Sequence, residues 1–269
     1  MAPTVFRSFD GLRLSATFVP VAGGPSAVAV LVHGGGVTRE EGGFFHRLAD
    51  GLAAAGVASL RFDLRGHGES EGRQEDLTIS AILNDIRAAL EHAGELADGA
   101  PAALLGASFG GGICGFFAAR NPGLIRRLVL INPLINYRKR FVDDKPYWTG
   151  GRIGEAAAAD LARDGYLPHS PTFKLGRPLL NEVFHLRPDE AIGDITTPTL
   201  ILHGTGDTFI PVSSSREQIE RIRAEKRLIE IEGAQHGIAM PDDPRYQHPR
   251  TAEWQASAIR SIADWVVRP

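Results

Sequence analysis

Residues 102–112 read Ala102-Ala103-Leu104-Leu105-Gly106-Ala107-Ser108-Phe109-Gly110-Gly111-Gly112. A short apolar run breaks into small residues around one serine and then resumes as a helix-like stretch, which predicts a strand, a sharp turn and a helix. A serine in so tight a turn needs very small neighbours, because the backbone closes on itself and a Cβ would clash. Gly106, Ala107, Gly110 and Gly111 meet that demand. The turn projects the Ser108 hydroxyl at the carboxyl end of the strand and puts the Phe109 N–H at the start of a helix, where donors are unpaired and the dipole favours negative charge. That combination is what a nucleophile for acyl transfer requires. Alone, Gly-x-Ser-x-Gly is a weak signal in a chain with 31 glycines; a phosphate-binding or empty βα turn would read the same way.

The flanking sequence repeats the strand and helix alternation. Val5–Phe9 and Leu12–Val19 flank Asp10-Gly11, a hairpin signal, and predict an antiparallel edge. Ala27–Val32 is a continuous apolar run, the mark of a parallel strand covered on both faces, and it ends in His33-Gly34-Gly35-Gly36. A helix over Phe45–Ala55, a strand over Val57–Phe62, a helix from about Ser80 to Leu96 and a strand over Leu128–Ile131 follow the same rhythm. Between Pro133 and about Thr197 the rhythm stops, and Tyr137, Phe141, Tyr147, Trp148, Tyr166, Phe173 and Phe184 stand among charges and prolines. It resumes at Thr199–Leu202, with a helix around Ser214–Arg223, a strand at Leu228–Ile231 and an amphipathic helix from Thr251 to Val267. The expectation is an α/β fold with a mostly parallel twisted sheet, helices on both faces, a core of residues 1–133 and 197–269, and a cap inserted at 134–196.

Composition narrows the chemistry. With 269 residues, 43% hydrophobic content and a net charge of −3, the chain can bury a large core, and it lacks the basic bulk that nucleic acid or a membrane surface would ask for. Cys114 is the single cysteine, so no intrachain disulfide forms, and a buried structural thiol is expected. Neither the start of the chain nor any later run reads as a targeting or membrane segment, and a cytoplasmic location is the expectation. No cofactor and no metal is expected, because the glycine loops lack a dinucleotide fingerprint and no ligand spacing occurs.

A serine hydroxyl is a poor nucleophile until a base takes its proton, and the base needs an acceptor that fixes its tautomer. A parallel sheet presents its reactive loops at the carboxyl ends of successive strands. Asp207 follows one such strand and His236 the next, with Glu232 the second choice of carboxylate. His33, His67 and His203 lie in or beside competing loops; His46, His92, His169, His185 and His248 fall in helices, the insertion or the tail, where solvated or packing roles are usual. Charge on the substrate oxygen needs two donors. Phe109 N–H supplies one, and the glycine loop after His33 the other, with Gly35 the first choice and Gly36 the alternative.

The series His33-Gly34-Gly35-Gly36, Asp63-x-Arg65-Gly66-x-Gly68-x-Ser70, Gly106-x-Ser108-x-Gly110, Gly206-Asp207 with Pro211 after it, and His236-Gly237 resembles the α/β-hydrolase superfamily over nearly the whole chain outside the insertion. Within it the chain is most similar to small bacterial serine esterases that include cinnamoyl and feruloyl esterases and monoacylglycerol lipases. Acyl-carrier thioesterases and acyltransferases are also similar. The resemblance implies Ser108 as nucleophile, Asp207 as acid, His236 as base and Phe109 with Gly35 as oxyanion hole, acting on an ester through an acyl-enzyme. Position 35 departs from the pattern, since many relatives of the esterase group carry a larger residue there. A thioesterase, acyltransferase or cyclase using the same residues is the second reading, and a non-catalytic binding member the third.

The insertion supplies two further expectations. Its aromatics would line a pocket for an apolar group, with Trp148 and Phe173 the leading candidates. Arg138, Lys139, Arg140 and Lys145 are either a solvated face or a patch that draws an acidic partner such as a carboxylate-bearing substrate, coenzyme A or an acyl carrier protein.

Overall fold

The computed structural model describes residues 2–268. The chain begins with β1 (Ala2–Arg7), β2 (Arg13–Val19), β3 (Ala27–Val32), α1 (Phe44–Ala54), β4 (Val57–Phe62), α2 (Ile79–Leu96), β5 (Ala102–Ala107), α3 (Ser108–Arg120) and β6 (Arg127–Ile131). Between the sixth strand and the next core strand lie β7 (Trp148–Thr149), β8 (Arg152–Ile153), α4 (Glu155–Asp164), β9 (Tyr166–Ser170), β10 (Phe173–Gly176), α5 (Arg177–Glu182) and α6 (Pro188–Ala191). The core closes with β11 (Thr199–Gly204), α7 (Val212–Arg221), β12 (Lys226–Ile231) and α8 (Pro249–Val266).

Eight strands form one sheet in the order β1-β2-β4-β3-β5-β6-β11-β12. β1 and β2 pair antiparallel across the Asp10-Gly11 turn, β2 joins β4 antiparallel, and all remaining pairs are parallel. The alternation of side chains along each strand explains the continuous apolar runs. Val28, Val30 and Val32, with Leu104, Leu128, Leu130 and Ile201, face the layer that holds α2, α3 and α7. Ala29, Leu31, Leu105, Val129, Ile131, Leu200 and Leu202 face α1 and α8. Both faces are dry, and each fully buried Val, Leu or Ile contributes about 1.5–3 kcal/mol relative to an exposed one.

The third helix is built against its own propensity. Gly110, Gly111, Gly112 and Gly115 each cost roughly 1 kcal/mol relative to alanine in a helix. Close packing makes the exchange necessary, since a Cβ at Gly110 would stand 2.4 Å from the His33 carbonyl oxygen and one at Gly112 2.1 Å from that of Leu134. The first turn of α3 is thereby held against the end of β3, where the His33 glycine loop begins.

The residues between β6 and β11 are tied to the preceding part of the chain. The Glu182 carboxylate, at the end of α5, accepts the Ile79 N–H and the Ser80 hydroxyl at the first turn of α2, a charge at a helix N-terminus. Lys174 N–H on β10 donates to Gln74 Oε1 at 3.0 Å. These ties bring the β9 and β10 hairpin over the carboxyl ends of the central strands. Among the described residues, no helix is long and apolar enough to cross a membrane.

Candidate active site

Ser108 sits at the junction of β5 and α3 with φ +50°, a left-handed conformation that a non-glycine residue adopts only under constraint. Leu134 N–H donates to the Ser108 carbonyl oxygen at 2.9 Å. His236 Nε2 lies 3.1 Å from Ser108 Oγ, and His236 Nδ1 lies 2.8 Å from Asp207 Oδ2. With Nδ1–H donating to a carboxylate that can only accept, Nε2 is left with a lone pair facing the serine hydroxyl.

Asp207 is saturated with donors. Its Oδ1 accepts the Phe209 and Ile210 N–H groups at 2.8 Å each, and its Oδ2 accepts Asn132 Nδ2–H at 2.6 Å as well as His236. Burial raises its carboxyl pKa, but hydrogen bonds from His203 and His236 and from the Ile210 amide outweigh burial and hold it far below the ordinary range. Asn132, at the end of β6 with φ +43°, had no sequence signal. Glu232, the second choice, is exposed, and it is Asp207 that meets the histidine.

The other two loop histidines are scaffolding. His33 Nδ1–H donates to the Gly34 carbonyl at 2.7 Å and its Nε2 accepts Leu64 N–H at 2.9 Å, so the ring is neutral; burial pushes its pKa down to about 3. His67 Nδ1–H donates to the Arg65 carbonyl at 3.1 Å and its Nε2 accepts Gly36 N–H at 3.1 Å. Burial lowers its pKa too.

Those bonds bear on the glycine loop. Gly34 N–H donates to Glu41 Oε2 at 2.7 Å and Gly36 N–H to His67. Among the described residues no acceptor takes the Gly35 N–H. A side chain at Gly35 would force its surroundings to shift, because a Cβ would fall 2.6 Å from Phe173 Cε1. The glycine at this position, unexpected from the resemblance, matches an aromatic ring contributed by the insertion. Glu41 also escaped sequence reading: it looks like one more charge in a solvated run, yet burial raises the pKa of its carboxyl while the Gly34 amide and His236 act in the opposite sense.

A cavity of about 50 Å³ opens on Ser108, lined by Gly35, Phe109, Leu134, Phe141, His169, Phe173 and Phe209 among others. Phe173 is part of this cavity wall. Trp148 is not: its ring packs on Phe184 at 5.7 Å, and it is absent from the cavity wall. An aromatic in an insertion signals burial without saying against what. His169, expected to be solvated or packing, instead reaches the cavity, and burial with the nearby charges of Lys145 and Arg140 lowers its pKa to about 4. The basic patch divides as well. Arg138 pairs with Asp143 at 3.7 Å and Lys139 with Asp144 at 2.5 Å, whereas Arg140 turns inward onto the Phe209 ring, 3.9 Å from its centroid. Cys114 is buried, and burial raises its thiol pKa well above the ordinary value.

Comparison with known proteins adds to this geometry. The family described as serine aminopeptidase, S33 matches residues 23–158. The monoacylglycerol lipase of Mycolicibacterium smegmatis is 29% identical over 268 residues, covering 90% of this chain and 89% of its own length. Human monoglyceride lipase is 27% identical, covering 96% and 88%. Among solved structures, Est1E from Butyrivibrio proteoclasticus with ferulic acid bound superposes with a TM-score of 0.79 at 21% identity, covering 98% of this chain and all of the other.

Proposed function

The chain belongs to the serine aminopeptidase S33 family and has the α/β-hydrolase fold, and from that premise we propose that it is a carboxylic ester hydrolase working through Ser108, His236 and Asp207. His236 Nε2 takes the proton as Ser108 Oγ attacks the ester carbonyl, and Asp207 holds the imidazole in the required tautomer and stabilises its charged form. The Gly35 and Phe109 N–H groups receive the developing oxyanion, each worth about 3 kcal/mol of barrier. Collapse expels the alcohol with the proton returned by His236. The resulting acyl-enzyme is cleared by water that the same imidazole activates. Residues 134–196 act as a cap over this centre.

The observation that supports the reading most is the hydrogen-bonded series Ser108–His236–Asp207 at 3.1 and 2.8 Å, with the Gly35 amide beside it unengaged among the described residues. The relatives named as monoacylglycerol and monoglyceride lipases favour ester over peptide bonds as substrate. A thioester on coenzyme A or an acyl carrier protein is the second reading, and the patch at Arg138–Lys145 is what would draw it; the pairing of Arg138 and Lys139 with local carboxylates weakens that attraction. One panel decides: p-nitrophenyl esters, acyl-coenzyme A thioesters and aminoacyl p-nitroanilides, each with wild type and Ser108→Ala. Ester turnover lost in the variant is the expected result. Turnover of anilides alone would replace the ester reading with a peptidase.

A further inference from the structure

Next to the serine cavity lies a chamber of about 420 Å³, and Leu134 and Phe209 line both. Arg140 forms its inner wall, above Phe209, whose ring lies 5.0 Å from that of His236 at a tilt of 53°. The opposite wall is the first turn of α7, with Pro211, Ser213 and Ser214. Two of the neighbouring cations, Arg138 and Lys139, are ion-paired. Among the described residues Arg140 has no carboxylate within ion-pairing distance, and its Nε is buried without a hydrogen-bond partner. Burial acts to lower its pKa, with Asp144 and Asp207 opposing. A guanidinium nevertheless stays charged, so its Nε–H is desolvated with no acceptor.

We propose that this chamber is a carboxylate subsite, and that the substrate is an ester carrying a carboxylate which Arg140 receives while the ester group lies at Ser108. The proposal rests on the ester hydrolase reading. A guanidinium fork matches a carboxylate with two parallel N–H···O bonds, and the amide end of α7 adds a positive partial charge on the far wall. Phosphate offers the same oxygen chemistry, but the charge of the walls favours the monoanion. Arg140 and Lys139 are offset there by Asp144 and by Glu217, so a dianion would leave the larger surplus of negative charge. With only about 50 Å³ around the serine itself, one half of the ester is small and the other extends past Leu134 and Phe209.

The test uses matched pairs. Mono-4-nitrophenyl glutarate against 4-nitrophenyl valerate puts the carboxylate on the acyl half; 3-carboxyphenyl acetate against 3-methylphenyl acetate puts it on the alcohol half. For each pair the ratio of kcat/KM, anionic over neutral, is measured in wild type, Arg140→Gln and Arg140→Lys. In one pair the ratio should fall at least ten-fold in Arg140→Gln and recover in part in Arg140→Lys. A change under ten-fold in both pairs overturns the proposal. If wild type cleaves no ester, the underlying reading fails by itself, and calorimetric binding of monomethyl glutarate, a monoanion that keeps the ester group, to Ser108→Ala and to Ser108→Ala/Arg140→Gln decides the subsite. Binding weakened at least ten-fold by the second substitution supports it; equal or absent binding overturns it.

Discussion

Gly35→Ala isolates the fit between the glycine loop and the insertion. The φ of Gly35 lies outside the left-handed region, so an alanine meets no backbone penalty and only the space matters. The new Cβ would stand 2.6, 2.8 and 3.0 Å from three atoms of the Phe173 ring, against roughly 3.5–4.0 Å for an ordinary carbon contact, so the ring or the loop must give by about 1 Å. The ring has little room to move: it is 3% exposed and packs on Phe109 at 5.1 Å and His169 at 5.9 Å. Overpacking of this kind costs about 1–3 kcal/mol, which at roughly 2–4 °C per kcal/mol is a fall in Tm of about 2–12 °C. The loop that yields carries the proposed donor. Because loss of a whole oxyanion donor costs on the order of 10²–10³ in rate, kcat/KM for p-nitrophenyl acetate should drop about 10- to 100-fold. Phe173→Leu removes the obstacle, so the alanine should be milder in that background by at least about 1 kcal/mol in urea denaturation. Single-variant costs that add to within about 0.5 kcal/mol in the double variant would refute the contact as the reason for glycine.

Asp207→Asn should be severe, with kcat falling on the order of 10⁴-fold as for a wrongly held tautomer. The two backbone amides claim the new carbonyl oxygen, so the new NH₂ group faces two other donors, Asn132 Nδ2 and His236 Nδ1; activity within ten-fold of wild type in the p-nitrophenyl assay would contradict this. His33→Gln should cost stability at pH 7, and that cost should shrink as the pH falls. The folded pKa of His33 is depressed from 6.5 to about 3, so the stability of its neutral form is present above 6.5 and is lost towards 3. The difference in unfolding free energy between wild type and His33→Gln, read from urea denaturation, should close by about 2 kcal/mol between pH 7 and pH 5, and a pH-independent cost would contradict it. Trp148→Ala should lower Tm through lost packing on Phe184 and leave the ranking of ester chain lengths as it was, while Phe173→Ala should shift that ranking towards bulkier acyl groups; the reverse pattern would show that the two aromatics have exchanged roles.

The parallel sheet was legible because strands dry on both faces read as unbroken apolar runs, Ala27–Val32 being the clearest. The Ser108 turn announced itself through small residues that only a close backbone approach requires, and Asp207 and His236 through their places after successive strands. What escaped depends on contacts between distant parts of the chain. Glu41 reads as solvent-facing until the turn after β3 brings it against the Gly34 amide, and Asn132 reads as a strand end until Asp207 is placed beside it. Arg138, Lys139 and Arg140 are one cluster in sequence, and only the wide helical turn over Lys139–Asp143 separates two paired cations from one turned inward. Glycine at 35 has its structural cause in a phenylalanine far along the chain, Phe173.

The central claim, that Ser108 is acylated by an ester and His236 and Asp207 make it reactive, is tested most directly by mass spectrometry of the protein quenched during turnover of p-nitrophenyl acetate. A single acetyl group on the peptide containing Ser108, absent from Ser108→Ala and strongly reduced in His236→Ala, is the expected result. An acetyl group on another residue, or a Ser108→Ala protein that keeps a tenth or more of wild-type turnover, would contradict it.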